Sequence, residues 1–449
     1  IHHIINHSGT RLLFVGKSVW DNIDHESMPA LDGIIAMADY SVISSRNPVL
    51  LETATRLETL FSARHPGELR IEDIHYRTEE PEELAMINYT SGTTSSPKGV
   101  MLPYRSMWSN LRYALDQMGY TPGEKLVSIL TMAHMYGLAF EFIYPFASGI
   151  HIYFLQKMPS PKILGEVFAD IRPHLIVAVP LIIEKIIKSR VLPQLEKFHI
   201  KLMLKMPIIG GKIRHKIKRQ ILDAFGGRFK LLAVGGAALN KEVEAFLHSV
   251  KFPDTVGYGM TECGPAIAFD HWQTFRPSSC GRAVDRMEIR IDSPDPFNQV
   301  GEILTKGLNV MDGYYNNPEA SNTVLSPDGW LHTGDLGVLD PDGYLYIKGR
   351  SKSLILGPSG QNIYPEEIED LLNAQPYIAE SLVIEREGKL VALVYPDAEA
   401  MKQNKISREA LLKIIHETRK QINQQIPAYS QIARLEIHDE EFEKTPKRS

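Results

Sequence analysis

From Tyr89 to Gly99 the chain reads Tyr-Thr-Ser-Gly-Thr-Thr-Ser-Ser-Pro-Lys-Gly. Hydroxyls, glycines and a lysine are crowded between two apolar runs, Leu84 to Tyr89 and Val100 to Leu102, each with the length and composition of a strand. A helix is expected from about Ser106. This order constrains the fold, because the loop must join strand to strand. A Walker loop joins strand to helix and ends Gly-Lys-Ser or Gly-Lys-Thr, whereas this one ends Pro-Lys-Gly. The chemistry is related all the same. Hydroxyls and free backbone N–H groups wrap phosphate oxygens, and a lysine adds a point charge. A plain Ser/Thr/Gly linker would account for the hydroxyls, but not for the Lys-Gly ending between two apolar strands.

The chain around this loop alternates strands and helices, which predicts an α/β fold with a largely parallel sheet. Strands are expected at Arg11–Gly16, in two pieces between Gly33 and Ser44, and at Lys125–Leu130, His151–Phe154, Leu175–Val179, Phe229–Val234 and Asp254–Tyr258. Helices are expected at Asn47–Ala63, Ser106–Met118 and from the Ala133–Gly137 segment to Ala147. Further on, Arg282–Asp292 and Gly301–Thr305 alternate like a small β unit. Asp340-Pro341-Asp342-Gly343 reads as a turn between two strands. Gly349–Lys352 breaks the pattern. Beyond it lie a hairpin, a helix started by Pro365, two strands around Glu387-Gly388 and a helix from Ser407 to about Gln425, together a compact α+β unit. The reading is therefore a large domain over 1–348, a hinge at 349–352 and a small domain over 353–449.

At 449 residues the chain can bury a large core in more than one domain. Its net charge of −5 gives no reason to expect nucleic acid. Cys263 and Cys280 have neither metal spacing nor a disulfide framework, which fits a reducing, cytoplasmic compartment. No apolar run is long enough to span a bilayer, and no signal peptide is seen. One region stands apart. From Ile182 to Arg219, lysines and arginines (Lys185, Lys188, Arg190 and on to Lys218 and Arg219) alternate with Ile, Leu and Met, opposed only by Glu184 and Glu196. This is the pattern of helices with a solvated basic face. It also suits attachment to an anionic membrane surface, where each basic residue contributes about 1 kcal/mol.

Several later motifs fall in a fixed order after the loop: Gly235-Gly236-Ala237, Tyr258-Gly259-Met260-Thr261-Glu262, Trp330-Leu331-His332-Thr333-Gly334-Asp335 and Tyr346-Ile347-Lys348-Gly349-Arg350. With the loop, they resemble the adenylate-forming superfamily, which includes acyl-CoA synthetases, firefly luciferase and the adenylation domains of peptide synthetases. The resemblance covers nearly the whole chain. It implies that superfamily's fold: a large domain of α/β subdomains with a small β unit, and a small mobile α+β domain. It also implies that sequence precedes Ile1.

The resemblance assigns roles residue by residue. Thr90, Ser91, Gly92, Thr93, Thr94 and Lys98 would hold the ATP phosphates. Gly235, Gly236 and Ala237 would wall the adenine and acyl pocket. Tyr258, Gly259 and Met260 would lie along the adenine, Thr261 would touch the α-phosphate and Glu262 would hold Mg2+. Asp335 would accept the ribose hydroxyls, with Ile347 and Arg350 beside it. His134 would face the acyl carboxylate, and Lys352 would be the hinge, with Gly357–Asn362 admitting the thiol. The adenylation lysine expected in the C-terminal tail has no clean match in Thr445-Pro446-Lys447-Arg448-Ser449. Ser449 stands at its position, and Lys447 lies two residues earlier.

The chemistry so implied is consistent with these residue types. A carboxylate with a pKa of about 4 to 5 is already an anion at neutral pH and needs no general base. The difficulty is bringing it against an anionic phosphate, which calls for positioning and charge neutralisation rather than a nucleophilic triad. The expectation is an ATP-dependent ligase joining a carboxylic acid, a medium- or long-chain fatty acid by preference, to CoA. Its rivals are an acyl-acyl carrier protein synthetase, an amino acid activator and a homologue that binds nucleotide without turnover.

Overall fold

The computed structural model describes residues 1–90, 97–157, 159–187, 207–357 and 361–442. A five-stranded parallel sheet forms the centre, in the spatial order Asp254–Val256, Leu231–Val234, Leu175–Ala178, Lys125–Ser128, His151–Phe154. Two of its three inner strands are apolar throughout: Leu175–Ala178 and Leu231–Val234 are buried at every position. Such runs are what a parallel sheet covered on both faces demands. Helices Pro161–Ile171 and Pro207–Ala224 supply Leu164, Phe168, Ile217 and Ile221 to one core.

The apolar runs on either side of the hydroxyl-rich sequence are strands, as expected. Leu84–Thr90 pairs antiparallel with Lys98–Pro103, Thr90 opposite Lys98 and Tyr89 opposite Gly99. Gly313–Tyr314 adds a third strand beside Val100 and Met101. Helix Tyr104–Met118 follows at once and buries Ser106, Ser109 and Asn110 as well as Tyr113 and Ala114. Four antiparallel strands (Met287–Asp292, Gly301–Gly307, Leu331–Leu339, Leu345–Arg350) make the small β unit. The C-terminal unit has its own core, with Ile368, Leu372, Val383, Leu411, Ile415 and Ile422 packed between helices Pro365–Asn373 and Arg408–Asn423 and the sheet of Ile378–Arg386, Lys389–Pro396 and Ile432–Ile437.

Four expectations need correction. The helix expected over Asn47–Ala63 is two, Pro48–Thr55 and Leu57–Arg64, broken at Arg56 with φ −110° and ψ 10°. Neither buries a residue, so no core contact holds them in line. The strand expected over Lys125–Leu130 stops at Ser128, because the N–H groups of Ile129 and Leu130 donate to Glu141 instead of a neighbouring strand. Asp254–Tyr258 divides: Asp254–Val256 stays in the parallel sheet, and Tyr258–Gly259 crosses to pair with Ala266–Phe269. The pattern does not break at Gly349, since the strand runs on through Arg350 and a turn begins at Ser351.

Candidate nucleotide site

The segment Tyr258–Glu262 is gripped from three sides. The Asn110 side chain donates to the Cys263 carbonyl at 3.0 Å and accepts from the Ala266 N–H at 2.9 Å. Asn309 donates to the Ala266 carbonyl at 2.7 Å, and the Met311 N–H donates to the Glu262 carbonyl at 2.8 Å. Gly259 is required by close approach: a Cβ there would lie 2.2 Å from the Pro265 carbonyl oxygen. These buried hydrogen bonds, each contributing about 1 kcal/mol, fix the direction of the side chains on the segment.

One end of the segment reaches Asp335. The Tyr258 hydroxyl donates to Asp335 Oδ2 at 2.6 Å, and Arg350 Nε lies 3.3 Å from Oδ1. Asp335 and Arg350 are cross-strand partners, so the pair is built into the sheet register. Arg350 is 72% exposed, so the ion pair contributes little to stability and the guanidinium is accessible to a ligand. Burial pushes the Asp335 carboxyl above its ordinary range, while the Tyr258 hydrogen bond and the Arg350 charge pull it back. Burial, with the Asp335 charge, keeps the Tyr258 phenol protonated. Glu302 supports the same motif, accepting from the Gly334 N–H at 3.0 Å and meeting His332 Nδ1 at 2.9 Å.

The other end reaches Lys98. The Tyr314 hydroxyl donates to Glu262 Oε1 at 2.9 Å, and Lys98 Nζ stands over the Tyr314 ring, 4.7 Å from its centroid. Tyr314 is held by the strand that pairs with Val100. Glu262 is buried, and among the described residues its Oε2 takes no hydrogen bond. A carboxylate with one tethered and one open oxygen fits Mg2+, which binds through one or two carboxylates, phosphate oxygens and water. Among the described residues no three His, Cys, Asp or Glu side chains gather to hold a metal unaided.

Gly235 ends its strand with Tyr136 against it: a Cβ there would lie 3.0 Å from the phenol ring, whose hydroxyl donates to the Ala233 carbonyl at 3.1 Å. Gly236 follows with φ +87°, a conformation suited to glycine. His134 is half-buried and stands just before the short helix Met135–Gly137. Thr90 is half-buried beside Lys98, Thr261 opens a short 3₁₀ turn, and Ile347 pairs with Gly337. Lys352 is exposed in the turn after Arg350, where Glu367 meets Lys348 at 3.2 Å and Glu366 accepts from the Arg350 N–H at 3.3 Å. Ser91, Gly92, Thr93 and Thr94, residues 188–206 of the basic stretch, residues 358–360 of the Gly357–Asn362 segment, and Lys447 and Ser449 lie outside the described residues. Tyr314, Tyr136, Asn110, Asn309 and Glu302 were missed from sequence. Tyr314 follows a glycine in Asp312-Gly313-Tyr314, which carries no signal without the pairing to Val100.

The model of the AMP-binding enzyme family matches residues 1–315, and that of the AMP-binding enzyme C-terminal domain matches residues 352–449. The chain belongs to the AMP-binding enzyme family. Its relatives include the long-chain-fatty-acid–CoA ligase ACSBG2 of Gallus gallus, 29% identical over 71% of this chain and 45% of that protein. The peroxisomal long chain acyl-CoA synthetase 7 of Arabidopsis thaliana is 31% identical over 72% of this chain and 49% of that protein. A 4-coumarate–CoA ligase of Pinus taeda is 28% identical over 75% and 59%. The chain thus spans about half the length of the curated relatives it matches. Among solved structures, ATP-bound MatB from Rhodopseudomonas palustris aligns over 100% of this chain and 78% of its own at TM-score 0.72 and 22% identity. MenE from Bacillus subtilis with ATP and a magnesium ion aligns over 98% and 78% at TM-score 0.67 and 22% identity. The fold of this AMP-binding enzyme is therefore that of the adenylate-forming enzymes.

Proposed function

We propose that this chain is the working part of an ATP-dependent carboxylate–CoA ligase. A carboxylate oxygen attacks the α-phosphorus of ATP, the bond to the β-phosphate oxygen breaks, and acyl-adenylate and pyrophosphate form. The CoA thiol then displaces AMP to give acyl-CoA. The observation that supports this best is the bipolar segment Tyr258–Glu262, with Tyr258 on Asp335 at one end and Glu262 joined through Tyr314 to Lys98 at the other. That arrangement suits a ribose at the Asp335 end and phosphates at the Lys98 end. Asp335 would accept ribose hydroxyls, as a carboxylate can. Lys98 would neutralise the departing pyrophosphate, and Glu262 would hold Mg2+, whose chemistry when bound is to screen phosphate charge. His134 and the Tyr136–Gly235 contact would wall the acyl side.

The substrate class we favour is a medium- or long-chain fatty acid. The support is the Ala133–Gly137 motif and the two long-chain relatives; the 4-coumarate relative supports an aromatic acid instead. The basic, apolar stretch would seat such an enzyme on an anionic membrane surface. The test is carboxylate-dependent exchange of labelled pyrophosphate into ATP across aliphatic and aromatic acids, followed by competition between CoA and acyl carrier protein for the product. Exchange with fatty acids and transfer to CoA are expected. Transfer to carrier protein alone would replace the acceptor, and ATP binding without exchange would overturn the reading. Salt-sensitive flotation with anionic liposomes is expected as well, and its absence would remove the membrane.

A further inference from the structure

Glu141 is fully buried and has no part in the chemistry above. It lies in a π-helical run, Leu138–Ile143, inside an otherwise α-helical segment; such wide turns recur at functional sites. Its carboxylate accepts from the Ile129 N–H at 3.1 Å, the Leu130 N–H at 2.8 Å and the Ser128 hydroxyl at 3.0 Å. These donors stand where the central strand ends and the loop to His134 begins. The loop then touches three parts of the candidate site. Its Ala133 carbonyl accepts from Asn88, two residues before Thr90, at 3.2 Å. His134 follows it, and Tyr136 packs on Gly235. Gly137 closes the loop onto the helix, since a Cβ there would lie 2.6 Å from the Thr131 carbonyl oxygen.

We infer that Glu141 is a positioning residue: its ionised carboxylate holds the loop Ile129–Gly137, and with it His134 and Tyr136, in the form that binds the carboxylate substrate. The inference rests on the ligase reading. The groups facing Glu141 favour the ionised form for geometric reasons, since three donors converge on it. A protonated carboxyl needs an acceptor, and Ser128 alone among the three can turn to provide one, which leaves a backbone N–H poorly paired. Burial pushes the carboxyl up to about 7, and the hydrogen bonds from Ile129, Leu130 and Ser128 oppose that rise. Of the ionisable groups on the packed elements, Tyr136 senses the Glu141 charge. Tyr113, Tyr120 and Tyr144 respond to other groups, and Lys125, at the far end of the strand, lies over the Tyr153 ring. The clamp therefore loosens as pH falls through about 7.

The test is amide hydrogen exchange of the substrate-free protein at pH 6 and pH 8, corrected for intrinsic rates, together with KM values at both. Wild type is expected to lose about tenfold protection at Ile129 and Leu130 at pH 6, equivalent to about 1.4 kcal/mol. Its KM for the carboxylate is expected to rise by a similar factor, while KM for ATP stays. Glu141→Gln is expected to show the loosened loop and high carboxylate KM at both pH values. A pH step that survives in Glu141→Gln, or its absence in wild type, would overturn the inference. Should that variant fold poorly, Glu141→Asp, one methylene too short to meet all three donors, is expected to lose about fivefold protection at Ile129 and Leu130 at pH 8, and unchanged protection there counts equally against the clamp. If no acid yields acyl-adenylate, the ligase reading fails, and the exchange data still decide the clamp.

Discussion

The two ends of the segment Tyr258–Glu262 use the same three chemical types differently. At the Asp335 end a tyrosine hydroxyl and a guanidinium both contact the carboxylate, at 2.6 Å and 3.3 Å. At the Glu262 end the tyrosine contacts one oxygen, and the ammonium lies over the tyrosine ring instead of on the carboxylate. The first carboxylate is held by directional partners that a pair of hydroxyls can join or displace. The second keeps an oxygen open, and its lysine remains available to a polyanion. The difference lies in how the cation is mounted. Arg350 is a cross-strand neighbour of Asp335, whereas Lys98 opens a strand opposite Thr90, directly after the hydroxyl-rich sequence.

This contrast ranks the expected effects of substitution. Glu262→Gln is expected to lower acyl-adenylate formation by about 10²- to 10³-fold, measured as pyrophosphate release at saturating ATP, because it removes charge stabilisation at the reacting end. Asp335→Asn is expected to weaken ATP binding by about 10- to 100-fold, measured by calorimetry, with a much smaller change in the rate at saturation, since hydrogen bonds to a charged group contribute about 1.5–3 kcal/mol. A change in turnover from Asp335→Asn as large as that from Glu262→Gln would erase the distinction. The tyrosines sharpen it. Tyr258→Phe is expected to raise KM for ATP by about fivefold and Tyr314→Phe to lower turnover by a similar factor. Double-mutant cycles are expected to show coupling within each end, Tyr258 with Asp335 and Tyr314 with Glu262, and near-additivity between ends.

The raised Asp335 carboxyl makes a pH prediction with a defined sign. Burial shifts its protonation to higher pH than for an ordinary carboxylate, so ATP affinity is full at high pH and falls as pH drops, beginning above the usual carboxylate range. Away from the site, burial and the nearby Glu244 push Asp254 up to about 7. Its folded pKa lies above its unfolded one, so the native state binds the extra proton, and stability declines as pH rises from about 4 towards 7. Asp254→Asn is therefore expected to raise the melting temperature by about 2 °C at pH 8 and to leave it nearly unchanged below pH 4. This is the smallest effect and separates charge burial in the scaffold from charge placement in the site.

Which features could be read from sequence follows from the same physics. Apolar runs at Leu175 and Leu231 announced buried parallel strands, because strands covered on both faces favour continuous apolar runs. The strand–loop–strand reading around Lys98 rested on local pattern and matches the observed strands Leu84–Thr90 and Lys98–Pro103. Glu262, Asp335 and Arg350 stood out through their motifs. Tyr314, Asn110, Asn309 and Glu141 did not, because each acts through contacts with residues distant in sequence or out of phase with its element: Asn110 reaches Cys263 and Ala266 across more than 150 positions. The end of the central strand at Ser128 was equally hidden. Ile129 and Leu130 are good strand residues, and only the buried Glu141 diverts their N–H groups.

The most direct test is mass spectrometry of the protein incubated with MgATP and single acids, from acetate to stearate and including 4-coumarate, without any thiol. Acyl-adenylate and pyrophosphate from one class of acid, lost in Glu262→Gln and recovered in Asp335→Asn by raising ATP, is the predicted result. Bound ATP with no acyl-adenylate from any acid would contradict the account.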